Sequence, residues 1–463
     1  MAASTPANPA PLERSHIDLR TSQKMPPLWL TPADTVPHGM PAPSGHNGVW
    51  ETDSTGALRG RAIQLVEWAQ EIVCVSSFIL ADLELHKALL SASARGVRVY
   101  LLTACEQKLL KDPRLDDEFS GRVQDQHVKM LDELALRTLL RSGEDLHAKF
   151  LVVDPHGPSP EGILFTCNLA TEGLTRNPEL GVELSPDEAK DLFRMFLWGF
   201  WKQSKRELLD PGKITGNRPY SPIGLSPPKS LPCTAEGSTG LREEVLRLIE
   251  GSRKDLWVSS WKFIADHPAT KALRDAAGRG VRVRLLTSVR PAADHMEALV
   301  GLARAGVEVR GHRYLHAKAI VSDCQTEPHG LVMSANFDVH GLDQGYEAGV
   351  SLTGRRLSTL QGILSKWWGS FTTPLLVEKT LGELPEQRVN LYRNGGFEDI
   401  AIARERRVDL GQIRARSPEE MESTRPPRFP EPETIGSRTY YKEIHYTWTV
   451  LPPEGPKGNQ PLG

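Results

Sequence analysis

The sequence predicts a mixed α/β protein: two duplicated α/β sandwich halves packed pseudo-two-fold around one cleft, plus a small β-rich C-terminal extension. Three observations predict it. Residues 95–103 (RGVRVYLLT) and 279–287 (RGVRVRLLT) differ only at Tyr100 and Arg284. Further matches keep the same order in both copies: VSSF at 75–78 with VSSW at 258–261, and LHAKFLVVD at 146–154 with LHAKAIVSD at 315–323. Within each copy, apolar strand-like runs alternate with helical segments, the pattern of layered α/β folds. Ordered matches of this kind mark duplication and fusion of one ancestral domain.

The elements follow in chain order. Residues 1–55 hold nine prolines by position 43 and read as an extended arm. Residues 56–207 form the first repeat. An amphipathic segment precedes Glu71, and a strand, IVCVSSFI, follows it. A helix from Asp82 to Ala94 stops at Gly96, and the strand VRVYLLT comes next. From Thr103 to His147 is 44 residues, against 29 from Thr287 to His316, so the charged stretch 111–129 is expected to be an insertion. Residues 208–238, rich in Pro, Gly and Ser, link the halves. Residues 239–373 repeat the pattern: a helix from Leu241, strand LWVSSW, a helix to Gly278, strand VRVRLLT. Residues 374–463 carry a turn signal, Asn394-Gly395-Gly396, between strand-like runs. In their last run Ile444, Tyr446, Trp448 and Val450 share one face, as in a strand that docks. This extension is a candidate protein-binding module.

Composition narrows the class. Hydrophobic residues are 39% and charged residues 25% of 463, as in a globular protein with a real core. Lys plus Arg is 56 against 58 Asp plus Glu, a net charge of -2, which excludes a histone-like basic surface but allows a local basic cleft. No transmembrane segment is expected, because the longest apolar run is far too short to span a bilayer. The N-terminus shows no secretory signal pattern, so a cytoplasmic location is expected. Five scattered cysteines without a CxxC pair predict free thiols and no metal site.

The chemistry-bearing residues lie in the repeated blocks. Each half contains His-x-Lys-x4-Asp: His147, Lys149 and Asp154, then His316, Lys318 and Asp323. On a strand, residues two apart share a face, so each histidine and its lysine point the same way. Asp154 and Asp323 lie at odd offsets and are expected to fix the loop after the strand. Asn168 and Asn336 follow their histidines by 21 and 20 residues, and Glu179 and Glu347 follow the asparagines by 11. Two lysines and two asparagines suit the oxygens of a phosphodiester. One neutral imidazole can attack phosphorus while the other, protonated, serves the leaving oxygen. A carboxylate on each imidazole would fix its tautomer. The lysines supply the charge, so no cofactor and no metal are expected. His86, His127, His156, His295, His312 and His340 lack this context and read as surface or satisfied histidines.

These residues resemble the phospholipase D superfamily, whose signature is a paired HxK(x)4D(x)6GSxN. The resemblance covers roughly residues 56–373. It implies two α/β halves meeting at one cleft, a phosphohistidine intermediate and no metal. It makes His147 and His316 nucleophile and general acid/base. It makes Lys149, Lys318, Asn168 and Asn336 phosphate ligands, with Ser334 and Thr166 at the signature serine. Glu179 and Glu347 become the histidine-orienting acids. Phe165 and Met333 stand where the signature has glycine, and the loops after Asp154 and Asp323 are longer.

For the substrate, the first expectation is a cytoplasmic bacterial nuclease binding DNA in antiviral defence, supported by Arg95, Arg98, Arg279, Arg282, Arg284, Arg304, Arg310 and Arg313 as an electrostatic footprint. The alternative is a phospholipase D or phosphatidyltransferase acting on phospholipid, with Phe150, Phe165, Met333, Phe337 and the tryptophans near the repeat ends, Trp198, Trp201, Trp367 and Trp368, as candidate channel or core residues. A third reading is an anion-binding interaction module.

Overall fold

The computed structural model of the chain describes residues 47–104, 121–217, 224–228, 230–289, 293–324 and 328–371, and toward the chain ends 14–18, 27–30, 373–379, 388–393, 396–405 and 445–450. It divides into two units. One is His38–Phe371, the other Met1–Pro37 with Thr372–Gly463.

In the larger unit both repeats build the same mixed sheet. Ile72–Ser76 runs parallel to Arg98–Ala104, which runs parallel to Leu139–Gly143. On its other side come Phe150–Val153, Glu161–Phe165, Leu180–Glu183 and Val49–Glu51, each antiparallel to the one before. The second repeat copies this order with Glu308–His312, Arg282–Ser288, Asp255–Ser259, Ala319–Ser322, His329–Met333, Glu347–Leu352 and Cys233–Ala235. Ile72–Ser76 is buried at every position, as a central strand covered on both faces must be, hence its unbroken apolar run.

Local signals set the helices. Asp82 caps Leu83–Ala94 by accepting the Leu85 N–H at 2.9 Å. Gly96 and Gly280 take φ of 91° and 86°, so the chain turns out of each helix at the matched position. Ser185 and Glu188 form a reciprocal capping box on Pro186–Trp198. That helix and Gly354–Ser370 pack with strands of both repeats in one core containing Phe150, Val182, Phe196, Val332, Val350 and Trp367. Trp367 is fully buried, and its indole N–H donates to Glu51 at 3.2 Å. Of the tryptophans near the repeat ends, Trp367 thus serves the core, while Trp201 and Trp368 pack against it half-buried. Phe150, Phe165, Met333 and Phe337 are also fully buried core residues, so they line no acyl channel.

The expected insertion at 111–129 is corrected. Gly121–Ala135 is the counterpart of the helix Ala293–Arg304, and only the residues before it remain outside the described ones. His127 and His295 occupy equivalent places on these helices. Each Nδ1 accepts a backbone N–H, from Leu80 at 3.0 Å and Phe263 at 2.8 Å.

The arginines of the repeated strand prove structural. Arg95 donates to Val66 O and Glu67 O, both at 3.0 Å, and Arg279 to Ile249 O and Glu250 O at 3.1 and 3.3 Å. Each guanidinium closes the last carbonyls of a helix, Ala57–Trp68 or Gly240–Gly251, where positive charge is favoured. Arg282 pairs with Glu308, and Arg284 pairs with Asp255 while lying over Trp257.

The smaller unit is an antiparallel arrangement of Arg14–Asp18, His445–Val450, Gly396–Glu405, Arg388–Arg393, Leu28–Leu30 and Thr373–Leu376, in that order. Arg393 pairs with Gly396, as the turn signal requires, while Asn394 and Gly395 lie outside the described residues.

Candidate active site

The motif acids sit behind the site. The Asp154 carboxylate accepts the N–H groups of Gln70, Glu71 and Ile72 at 2.8–2.9 Å; that of Asp323 accepts those of Arg253 and Lys254 at 2.9 and 2.8 Å. Each ties down the turn that feeds its repeat's central strand. Only Asp154 also adopts a left-handed φ, 45°. Their structural role is therefore exerted on the neighbouring strand's start, beyond the local loop expected from spacing.

The His-x-Lys segments lie immediately before Phe150–Val153 and Ala319–Ser322, outside the assigned strands. Lys149 Nζ lies 2.7 and 3.0 Å from the two ring nitrogens of His147 and donates to His147 O at 2.6 Å. Lys318 repeats this at His316, with 2.9, 3.0 and 2.5 Å. Both lysines are fully buried. Burying two ammonium groups is costly without anionic company, and the two glutamates provide it.

Those glutamates cross between the repeats. His147 Nδ1 bonds Glu347 at 2.5 Å, and His316 Nδ1 bonds Glu179 at 2.6 Å. Each imidazole thus takes its carboxylate from the other half. The backbone supports the exchange: His147 N donates to Tyr346 O at 3.2 Å, and Ala317 N donates to Pro178 O at 3.1 Å. Lys318 also reaches Thr166 O of the first repeat at 3.4 Å. The second oxygen of each glutamate is held by a hydroxyl, Thr166 to Glu179 at 2.5 Å and Ser334 to Glu347. Each hydroxyl oxygen in turn accepts a backbone N–H, from Leu180 at 2.8 Å and Ala348 at 3.1 Å. Thr166 and Ser334 are therefore placed behind the glutamates rather than in the cleft.

The two dyads differ electrostatically. Burial pushes the His147 imidazole down to about 3, against the pull of Glu347 and with Lys149 adding to the depression. Burial would raise Glu347, but His147, Lys149 and the Ser334 bond outweigh it and hold the carboxyl at about 2. At Glu179 burial prevails, and the carboxyl is pushed up to about 7 despite Lys318, Thr166 and Lys149. Near neutral pH the first dyad holds an ionised glutamate beside a neutral imidazole, and the second retains an exchangeable proton.

Asn168 is 1% exposed, and neither atom of its amide has a hydrogen-bond partner. A buried amide left unpaired is costly, and a ligand oxygen would relieve it. Asn336 is buried as well, and its Oδ1 faces the Ser260 hydroxyl at 3.4 Å. Sequence reasoning missed the walls. Phe78 stands edge-on to His147 with ring centres 5.1 Å apart, and Trp261 to His316 at 5.9 Å. The repeated VSSF and VSSW were the signal, since the ring follows two serines at the end of each central strand. His340, read from sequence as a surface or satisfied histidine, lies 6.1 Å from the His147 ring. Among the described residues no group of His, Cys, Asp and Glu is arranged to hold a metal ion.

With this geometry in view, comparison with known proteins is decisive for the family. A family model described as cardiolipin synthase, PLD-like domain, matches residues 62–201 and 245–368. The chain belongs to this phospholipase D-like family. A cardiolipin synthase of Clostridium perfringens (strain SM101 / Type A) is 25% identical over 233 residues, covering 46% of this chain and 47% of that protein. Cardiolipin synthase A of Pseudomonas aeruginosa (strain LESB58) is 26% identical over 300 residues, covering 60% and 58%. The chain thus spans about half the length of these curated relatives. A solved phosphatidylserine synthase of Haemophilus influenzae Rd KW20 aligns with TM-score 0.48 and 12% identity over 78% of this chain and 92% of that one.

These relatives overturn the nuclease expectation, and with it DNA binding and antiviral defence: the proteins matched across the repeats are named as cardiolipin synthases. Four of the eight arginines of the supposed basic footprint, Arg95, Arg279, Arg282 and Arg284, are occupied by helix ends and acids. Among the described residues no helix is long and apolar enough to cross a membrane.

Proposed function

We propose that the chain is a phosphatidyltransferase of the phospholipase D type, moving the phosphatidyl group of one phospholipid to the hydroxyl of an alcohol, a second phospholipid included. The crossed His–Glu dyads carry this reading. They give each half an oriented imidazole that depends on the other half, as a two-step exchange at one phosphorus requires. The substrate class is supported by the cardiolipin synthase relatives.

Glu347 accepts a hydrogen bond from the Nδ1–H of neutral His147, which leaves the Nε2 lone pair for attack. A nitrogen–phosphorus bond forms and the phosphorus–oxygen bond to the leaving alcohol breaks. The His316–Glu179 pair delivers the proton to that oxygen. An acceptor hydroxyl then returns its proton to His316 and attacks phosphorus, releasing His147. Lys149, Lys318, Asn168 and Asn336 balance the charge on the phosphoryl oxygens. Thr166 and Ser334 position the glutamates, and Asp154 and Asp323 position the strands. The burial of this centre restricts bulk water, which favours transfer to an alcohol over hydrolysis.

The test is incubation of the purified chain in EDTA with phosphatidylglycerol vesicles. Cardiolipin and free glycerol are the expected products. Phosphatidate as the main product would make the chain a hydrolase, and an absence of any headgroup release would refute the reading.

A further inference from the structure

We propose that His340 is a further ligand for the phosphodiester anion, placed over His147 and absent from the duplicated set. The proposal rests on the phosphodiester chemistry proposed above but not on which alcohol accepts the group.

Three observations place it there. The rings of His340 and His147 are 6.1 Å apart and nearly perpendicular, a separation that lets both reach one phosphate group. The turn that carries it, His340–Gln344, begins four residues after Asn336 and leads within three residues to Glu347, the carboxylate of His147. Two glycines make this path possible. A Cβ at Gly341 would meet Asn336 O at 2.4 Å, and one at Gly345 would meet His340 O at 2.4 Å and the His340 ring at 3.3 Å. The turn is therefore folded tightly against the asparagine and the dyad, with the imidazole at the rim.

One ring nitrogen also lacks a partner. His340 Nε2 is buried without a hydrogen-bond partner, while Nδ1 lies 4.0 Å from the Asp145 carboxylate. Asp145 and His147 are the titratable groups facing it from the adjoining segment, and an anion arriving at His147 would supply the missing acceptor. The first repeat offers no copy. Four residues after Asn168 stands Glu172, a carboxylate that accepts from Arg122 at 2.7 Å. The centre is symmetric in its His, Lys, Asn and Glu but has an imidazole on one side where the other has a carboxylate.

The experiment is titration of the full chain with inorganic phosphate in EDTA by calorimetry, with H340A, H340Q and H340K alongside. H340A should bind phosphate about tenfold more weakly or worse, the effect of losing a charge-assisted hydrogen bond. H340Q should fall between, and H340K should stay near the unsubstituted chain, all with unchanged melting temperatures. Phosphate affinity in H340A within twofold of the unsubstituted chain would overturn the proposal. So would equal losses in H340A and H340K accompanied by lower melting temperatures, or no phosphate binding by the unsubstituted chain. If phosphate binding behaves as expected while vesicles yield no cardiolipin, the substrate reading fails and the role of His340 stands.

Discussion

The crossing of the dyads makes a prediction that a same-half arrangement does not. Consider His147→Ala, Glu347→Gln and the double variant, beside a second cycle of His147→Ala with Glu179→Gln. In the first cycle the partners share a buried 2.5 Å hydrogen bond between imidazole and carboxylate. A hydrogen bond to a charged group contributes about 1.5–3 kcal/mol, so the coupling free energy should be about 2 kcal/mol. In the second cycle His147 and Glu179 share no bond, because Glu179 is engaged by His316 and Thr166. Lys149 contacts His147 and acts on Glu179 through space, so this second coupling need not vanish, but without a direct bond it should stay below half of the first. The assay is guanidinium denaturation at pH 7, followed by tryptophan fluorescence. Equal coupling in the two cycles, or the larger value for His147 with Glu179, would refute the crossed assignment.

Other consequences concern stability and pH. Replacing Asp154 by Ala removes three hydrogen bonds from backbone N–H groups to a carboxylate and should cost about 2 kcal/mol, more than Asp323→Ala, which removes two; thermal melts of both variants check the order. Gly162→Ala would set a Cβ 2.6 Å from Leu151 O, so its denaturation midpoint should drop by the equivalent of about 1–3 kcal/mol. His127 is fully buried and pushed down to about 4 by that burial. The unfolded chain therefore takes up a proton there below about pH 6.5 that the folded chain refuses, and stability falls as pH drops from 6.5 toward 4. The loss from this group is about 3 kcal/mol by pH 4, and a His127→Gln variant should show a correspondingly flatter decline. Glu179, raised to about 7, runs the other way: its folded form gives up stability as pH rises from 4.5 through 7. The same titration should lower turnover above about pH 7 as the leaving-group proton is lost, and a flat rate profile to pH 9 would remove Glu179 from that role.

Much of this was legible in the sequence because duplication prints everything twice. The repeated strand, the paired His-x-Lys and the matched Asn and Glu spacings locate both halves. The crossing is invisible there, because Glu179 and Glu347 hold equal positions and either pairing gives the same spacing. The arginines misled because a guanidinium that closes a helix end and one that meets a phosphate look alike in sequence; only the carbonyls facing Arg95 and Arg279 decide. Thr166 and Ser334 occupy the signature position, yet the hydroxyl points back at a carboxylate, an orientation that spacing does not carry. His340 has no counterpart in the first half, so the repeat cannot flag it. The pairing of Arg14–Asp18 with His445–Val450 joins opposite chain ends, beyond any local pattern.

The central claim is that two imidazoles act in turn on one phosphorus. The most direct measurement uses a phosphodiester made chiral at phosphorus with sulfur and an oxygen isotope, converted by the chain in the presence of an alcohol. Two successive displacements predict a product with retained configuration. An inverted product would mean a single direct displacement and would contradict the account.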